Sequence, residues 1–336
     1  MARIAEELRL RGHHIELISG AFPGCREEVR ERFCWRFLGS PEGYAASVAS
    51  FILASWWNLS RRAKQFDLVI EDFSVWNPLF SSWIARTPAM LQIQNYLGRE
   101  IRRRYGIWSI GVELLEKAYP RFFEHRVVLS RELAVRYGAP AFVSPMGVEA
   151  DWLKRPSELG EYVAYLGRIE FHQKGLDRLV RAASGVKAPI KIAGRGPDSD
   201  LLKAVCASEP NMEFVGPVEG LAKRSFLERA RVVVMPSRFE GQPMVALEAA
   251  ALGRPLVASD IDELRFIERE GFGICVDVED THRFQQAVNG LSRGAQSWEA
   301  ASSSGRSFAR HRTWERVVDG FENYCLLLAA EGAEHR

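Results

Sequence analysis

Residues 231–235 form an apolar, β-branched run that closes at Pro236-Ser237, and Pro243 then opens a stretch of strong helix formers that Gly253 and Pro255 stop. Such a run reads as a strand buried on both faces of a parallel sheet, with the following helix as its crossover. Glu240 then lies just past the carboxyl end of the strand, and Glu248 rides on the helix. In an open α/β sheet, ligands bind in the crevice outside the strand ends. The free amides and positive dipole end of this helix face that crevice, so the pattern favours a phosphate or diphosphate.

A second strand, loop and helix span residues 162–182, and their loop carries Arg168 and Lys174. Residues 190–197 read as a strand that runs into Gly194-x-Gly196, and 212–218 as the next strand and loop. A dinucleotide fingerprint needs a third glycine and an acid on the following strand, and neither is convincing, so a dehydrogenase is poorly supported. Strand-like segments at 14–19, 66–72, 89–94, 125–130 and 141–145 alternate with helical ones in the first half, which predicts a second α/β domain. A chain of 336 residues with 47% apolar content is long enough for two cores.

Several chemistries are disfavoured. The five cysteines include no CxxC pair and the histidines no HExxH, so neither a zinc site nor a disulfide framework is indicated. A formal charge of +2 does not point to nucleic acid. No run reaches the roughly 18 apolar residues of a spanning helix, and a reducing cytosol is the expected compartment. Residues 198–200 and 260–262 have the D-x-D form of some metal sites, but each opens a helix and reads as a cap.

Residues 240–255 match the pattern EGxPxxxLEAxAxGxP, and in this they resemble the retaining family-4 glycosyltransferases of GT-B architecture. The resemblance implies two Rossmann-like, doubly wound domains facing a central cleft. It implies domains of 1–152 for the acceptor and 153–310 for a nucleotide-sugar donor, with 311–336 as a helix crossing back. Glu240 would lie by the donor sugar and Glu248 would hydrogen-bond the ribose. The amides of Gly241, Gln242 and Met244 would hold the diphosphate. Arg168 and Lys174 would neutralise the leaving diphosphate, since preorganised cations stabilise charge that develops as the glycosidic bond breaks. Gly194 and Gly196 would flank the nucleotide, and Val215 and Gly216 would meet the base. Residues 145–149 resemble the PNGVD run that closes the first domain. The implied reaction is transfer from a nucleoside-diphosphate sugar to an acceptor hydroxyl of a glycan, lipid-linked or small-molecule partner, with no cofactor and no metal.

The chain departs from that family in two places. It begins on what matches the first helix, without the strand and glycine-rich loop that precede it in the family. A misassigned start or truncated gene is the expected reason. Loss of a central strand should leave apolar surface and unpaired ladder groups inside the first domain, with poor or absent transfer. Many relatives also carry a histidine where this chain has Gln94, an amide that hydrogen-bonds a hydroxyl but takes up no proton. A catalytically degenerate paralogue or partner subunit is therefore the alternative, and a phosphorylase a second one. Residues 99–108 are basic and 50–59 strongly apolar. They read as a solvated helix face and as core packing, with peripheral contact at the inner face of a membrane as the rival reading.

Overall fold

The computed structural model describes residues 2–94, 96, 106–137, 141–154, 157–241 and 243–334. The chain divides into two compact units, one of residues 1–145 with 315–336 and one of residues 146–314. Gln242 and most of the basic 99–108 segment lie outside the described residues.

The strands of the first unit are β1 (Ile15–Gly20), β2 (Glu28–Arg30), β3 (Phe33–Leu38), β4 (Val69–Asp72), β5 (Ala89–Ile93), β6 (His125–Val128) and β7 (Phe142–Val143). Those of the second are β8 (Tyr162–Leu166), β9 (Ile190–Ala193), β10 (Met212–Gly216), β11 (Ala230–Met235), β12 (Leu256–Ser259) and β13 (Gly273–Val276).

The second unit is one parallel sheet in the order β10-β9-β8-β11-β12-β13. Its period-2 alternation supplies two cores. Val163, Tyr165, Ile192, Val232, Val234 and Val257 pack on one face. Ala164, Val233, Met235, Leu256 and Ala258 pack on the other, beneath the helix Met244–Ala251. The order turns back beside β8, with β9 and β11 as its two neighbours. Ligands of doubly wound sheets bind at such a switch point. β13 was not anticipated from the sequence, because it is four residues long, starts at a glycine and lies half-buried on the edge.

The first unit holds two sheets among the described residues, β1-β3-β2 and β4-β5-β6-β7. The five anticipated strands are all present, but β2 and β3 were missed. The second sheet covers its core through Leu91, Ile93, Tyr119, Phe123 and Val128. Glu71, buried on β4, accepts from the backbone amides of Leu79 and Ser81, each at 3.0 Å, and from the Tyr119 hydroxyl at 2.5 Å. That carboxylate fixes the loop after β4. The helix Trp314–Glu334 reaches back to the first helix's end, where Glu322 accepts from Arg11 at 2.6 Å and pairs with His13 at 2.6 Å.

Among the described residues the two sheets do not join: β1 pairs only with β3 and β4 only with β5, and both line a cavity of about 850 Å³ along their whole lengths. Ile4 and Leu8 of the first helix and Phe51 of the helix Tyr44–Arg62 form its other walls. The apolar residues of β1 are only half-buried, where a central strand would be dry on both faces. The apolar 50–59 stretch is core packing only on one side, since Phe51 and Ser55 turn inward while Leu53 and Trp57 stay more than 60% exposed.

Open edges exchange amide protons by local opening rather than global unfolding. Hydrogen exchange followed by mass spectrometry is therefore expected to show β1 and β4 exchanging at least about tenfold faster than β8 and β11.

Candidate functional site: a lysine–glutamate pocket at the strand ends

The site in the second unit is built by three loops that touch through their backbones. The loop after β8 is tied to β9, with the amide of Gly167 donating to the Ala193 carbonyl at 3.1 Å and that of Ile169 to the Arg195 carbonyl at 2.9 Å. Gly194 has φ near +148°, and a Cβ there would overlap the Gly167 carbonyl oxygen. A Cβ on Gly196 would overlap that of Ile169. The Tyr165 hydroxyl donates to the Arg168 carbonyl at 2.8 Å and fixes the same loop from below. Burial holds that phenol far above its ordinary range, so it stays protonated. At both glycines the close approach of the loops leaves no room for a side chain.

The β8 loop next forms the one-turn helix Phe171–Lys174 and turns at Gly175, with φ near +66°. A Cβ at Gly175 would collide with the Pro236 carbonyl oxygen at the end of β11. The Arg238 amide donates to the Gln173 carbonyl at 2.9 Å, which stitches the β8 and β11 loops together again. Lys174 is thereby delivered to Glu240. Its ammonium donates to one Glu240 oxygen at 2.8 Å, and the buried Ser237 hydroxyl donates to the other at 2.6 Å. Glu240 is only 5% exposed, so the pair is shielded from water. Ser237 went unnoticed in the sequence, although a serine three residues before a buried acid is its visible signal.

A small cavity of about 80 Å³ opens over this pair, lined by Gly167, Lys174, Ser237, Glu240, Met244 and Val245 among others. It is far below the roughly 300–1,000 Å³ of small-molecule pockets, so it takes in only part of a larger ligand. The 850 Å³ cavity of the first unit is larger, but it is bounded by open strand edges and holds none of these groups. Pro243 stands one residue ahead of the helix, as its N-cap rather than inside its first turn. The start of that helix, at Met244 and Val245, thus borders the cavity with its first turn.

Of the other residues anticipated from the sequence, Glu248 lies one turn further along that helix, buried, and accepts from Lys223 at 2.5 Å. Burial pushes its carboxyl pKa up while the Lys223 ammonium pulls against that shift. Arg168 is largely exposed and pairs with Glu170 at 3.4 Å, outside the small cavity. Gly241 follows Glu240 in the same loop. Val215 and Gly216 end β10, and the space beside Gly216 is open. Gln94 directly follows β5 in the first unit and donates to Asp72 at 2.5 Å. Lys223 was missed entirely, because nothing in its local sequence sets it apart from a solvated helix cation.

The two D-x-D segments require a correction. Asp198 precedes the helix Ser199–Ser208 without capping it, and accepts instead from the Phe171 amide at 2.8 Å. Asp260 and Asp262 pair with Arg265, and the helix there is only Phe266–Arg269.

Substituting Gly175 with alanine places a side chain at positive φ against a carbonyl, a change expected to cost about 1–3 kcal/mol. The melting temperature should fall by several degrees, measured by calorimetry, whereas Gly290→Ala, in open space, should change it far less.

Residues 160–293 match the family described as Glycosyl transferases group 1. A phosphatidyl-myo-inositol mannosyltransferase of Mycobacterium leprae is 28% identical over 210 residues, which cover 59% of this chain and 56% of that protein. The chain thus spans little more than half the length of that relative. Among solved structures, the sucrose-phosphate synthase of Thermosynechococcus elongatus has a TM-score of 0.78 at 19% identity, covering 98% of this chain and 92% of its own. Anabaena HepE, solved in complex with UDP and glucose, has a TM-score of 0.68 at 16% identity, covering 88% and 86%. At such identities these structures speak for the fold. Residues 160–293 thus match the Glycosyl transferases group 1 family, and the chain has the fold shared by the GT-B glycosyltransferases.

Proposed function

We propose that this chain transfers a sugar from a nucleoside-diphosphate donor to an acceptor hydroxyl, with retention of anomeric configuration. The observation that carries the reading is the buried Lys174–Glu240 pair beside a helix start at the switch point of the second sheet. A diphosphate docked on the first-turn amides of Met244 and Val245 takes Lys174 as its counter-ion, with Arg168 reaching in from the rim. Glu240, released from that lysine, turns to the donor sugar, while Glu248 meets the ribose. As the glycosidic bond breaks, charge grows on the diphosphate, where fixed cations and amides stabilise it. The departing phosphate oxygen accepts the proton of the acceptor hydroxyl, which attacks on the same face. No protein nucleophile takes part, and no metal is required of the residues named.

The UDP and glucose bound by HepE support the donor class. The relative that mannosylates a phosphatidyl-inositol supports a lipid-linked acceptor, and so do Leu53, Trp57 and the Arg61 guanidinium stacked 3.5 Å over the Trp57 ring. Such an aromatic and basic face suits a headgroup surface at the periphery of a membrane. No helix among the described residues is long and apolar enough to cross one. A second reading, a nucleotide-binding partner without turnover, is favoured by the divided sheet of the first unit.

Calorimetric titration with UDP, GDP and ADP tests the donor site. One of them is expected to bind, with Lys174→Ala weakening it by about tenfold or more. Because that change strands a buried carboxylate, Lys174→Ala/Glu240→Gln serves as the control for stability. Binding with transfer to a lipid-linked acceptor supports the enzyme, binding without any turnover supports the partner subunit, and no binding by the folded chain overturns both.

A further inference from the structure

We propose that Asp198 is a positioning residue for Lys174: it fixes where the lysine ammonium points by holding the start of the short helix that carries it. What this does to nucleotide binding rests on the donor site described above, whereas the positioning itself does not.

The helix Phe171–Lys174 is a single turn, too short to keep its shape alone, so its geometry is imposed from outside. Different loops fasten its two ends. At the far end the Arg238 guanidinium donates to the His172 carbonyl at 2.8 Å and, through its two terminal nitrogens, to the two Asp177 oxygens, each at 2.7 Å. Together with the Arg238 amide on the Gln173 carbonyl, these bonds tie that end to the β11 loop. At the near end the first helical amide, that of Phe171, donates to Asp198 Oδ2 at 2.8 Å, and the Asp198 amide donates to the Ile169 carbonyl at 3.2 Å. The near end is thereby tied to the β9 loop. The Lys174 amide closes the turn on the Glu170 carbonyl at 3.1 Å, one residue ahead of the amide that Asp198 holds.

Two fixed ends define the direction of a turn, and one alone leaves it free to swing. Releasing the Phe171 amide opens the turn at its start, and the lysine at its last position loses the registry that sets its ammonium 2.8 Å from Glu240. A carboxylate suits this task, because hydrogen bonds to an ionised acceptor are shorter and stronger than neutral ones. Asp198 directs its carboxylate across the loops and leaves its own helix, Ser199–Ser208, uncapped. Its D-x-D companion Asp200 is exposed and pairs with Lys203 at 3.4 Å. The two acids of that segment therefore have separate roles, and Asp198 is the one connected to Lys174.

The test begins without a ligand. Lysines of the full chain are reductively methylated with formaldehyde and a borohydride, and mass spectrometry follows the rate at Lys174, with the Glu248-paired Lys223 as internal reference. Asp198→Ala should react at least about fivefold faster at Lys174 with Lys223 unchanged, and Asp198→Asn, which keeps an acceptor oxygen, should restore most of the protection. Asp198→Ser, too short to reach the amide, stands in if the alanine variant unfolds, and Asp200→Ala should react as the wild type does. Calorimetric titration with UDP, GDP and ADP, each beside its monophosphate, then reads the consequence. For the nucleotide that binds, a wild-type preference for the diphosphate of about tenfold should fall below about threefold in Asp198→Ala, with monophosphate affinity unchanged. A Lys174 rate that stays at the wild-type value in Asp198→Ala overturns the positioning role, as does a rise that Lys223 shares equally. A Lys174 rate that rises alone in a chain binding no nucleotide upholds the positioning and overturns the donor site.

Discussion

The site depends on how closely three backbone loops approach one another at the carboxyl ends of β8, β9 and β11. Gly194 and Gly196 bring the β9 loop against the carbonyls of residues 167 and 169, and Gly175 brings the β8 loop against that of Pro236. Each contact leaves no room for a Cβ. Only because the loops touch does a lysine at position 174 meet an acid at position 240, 66 residues later in the chain. The hydrogen bonds across the loops hold that geometry at the backbone, so side chains do not have to create it.

Charge then determines what such a pocket tolerates. A carboxylate as buried as Glu240 is unfavourable unless it is paired and its remaining lone pairs are met. Lys174 supplies the first requirement and Ser237 the second. Glu248 receives only half of this treatment, with Lys223 on one oxygen and no partner among the described residues on the other. The two acids lie on one short segment, yet one is complete within the protein and the other is not.

Much of the second unit was legible in the sequence. The β-branched run at β11 and the proline, alanine and glycine punctuation of the next helix leave few alternatives, and strand and helix lie where that pattern puts them. What was hidden depends on distances across the chain. Lys223 and Ser237 are unremarkable until the fold brings them to an acid. The resemblance puts Gly194 and Gly196 beside the nucleotide, and the neighbouring loop adds why no side chain fits there. In the first unit the strands β1, β4, β5, β6 and β7 followed from the alternation of strand-like and helical segments. β2 and β3 did not, since β2 is three residues long and exposed on its last two, and β3 is only half-buried beyond Phe33.

The cations around the pocket share one further property: each already has a carboxylate, Lys174 with Glu240, Lys223 with Glu248, Arg168 with Glu170 and Arg195 with Glu219. On the proposed reading, capturing a diphosphate is thus an exchange of one anion for another. An incoming phosphate displaces glutamates, and a displaced glutamate at this depth must find a new donor. Inorganic diphosphate brings no hydroxyl to offer it. A sugar nucleotide brings hydroxyls at both ends, one set for each motif acid, so the exchange closes only for a ligand that carries its own replacement donors.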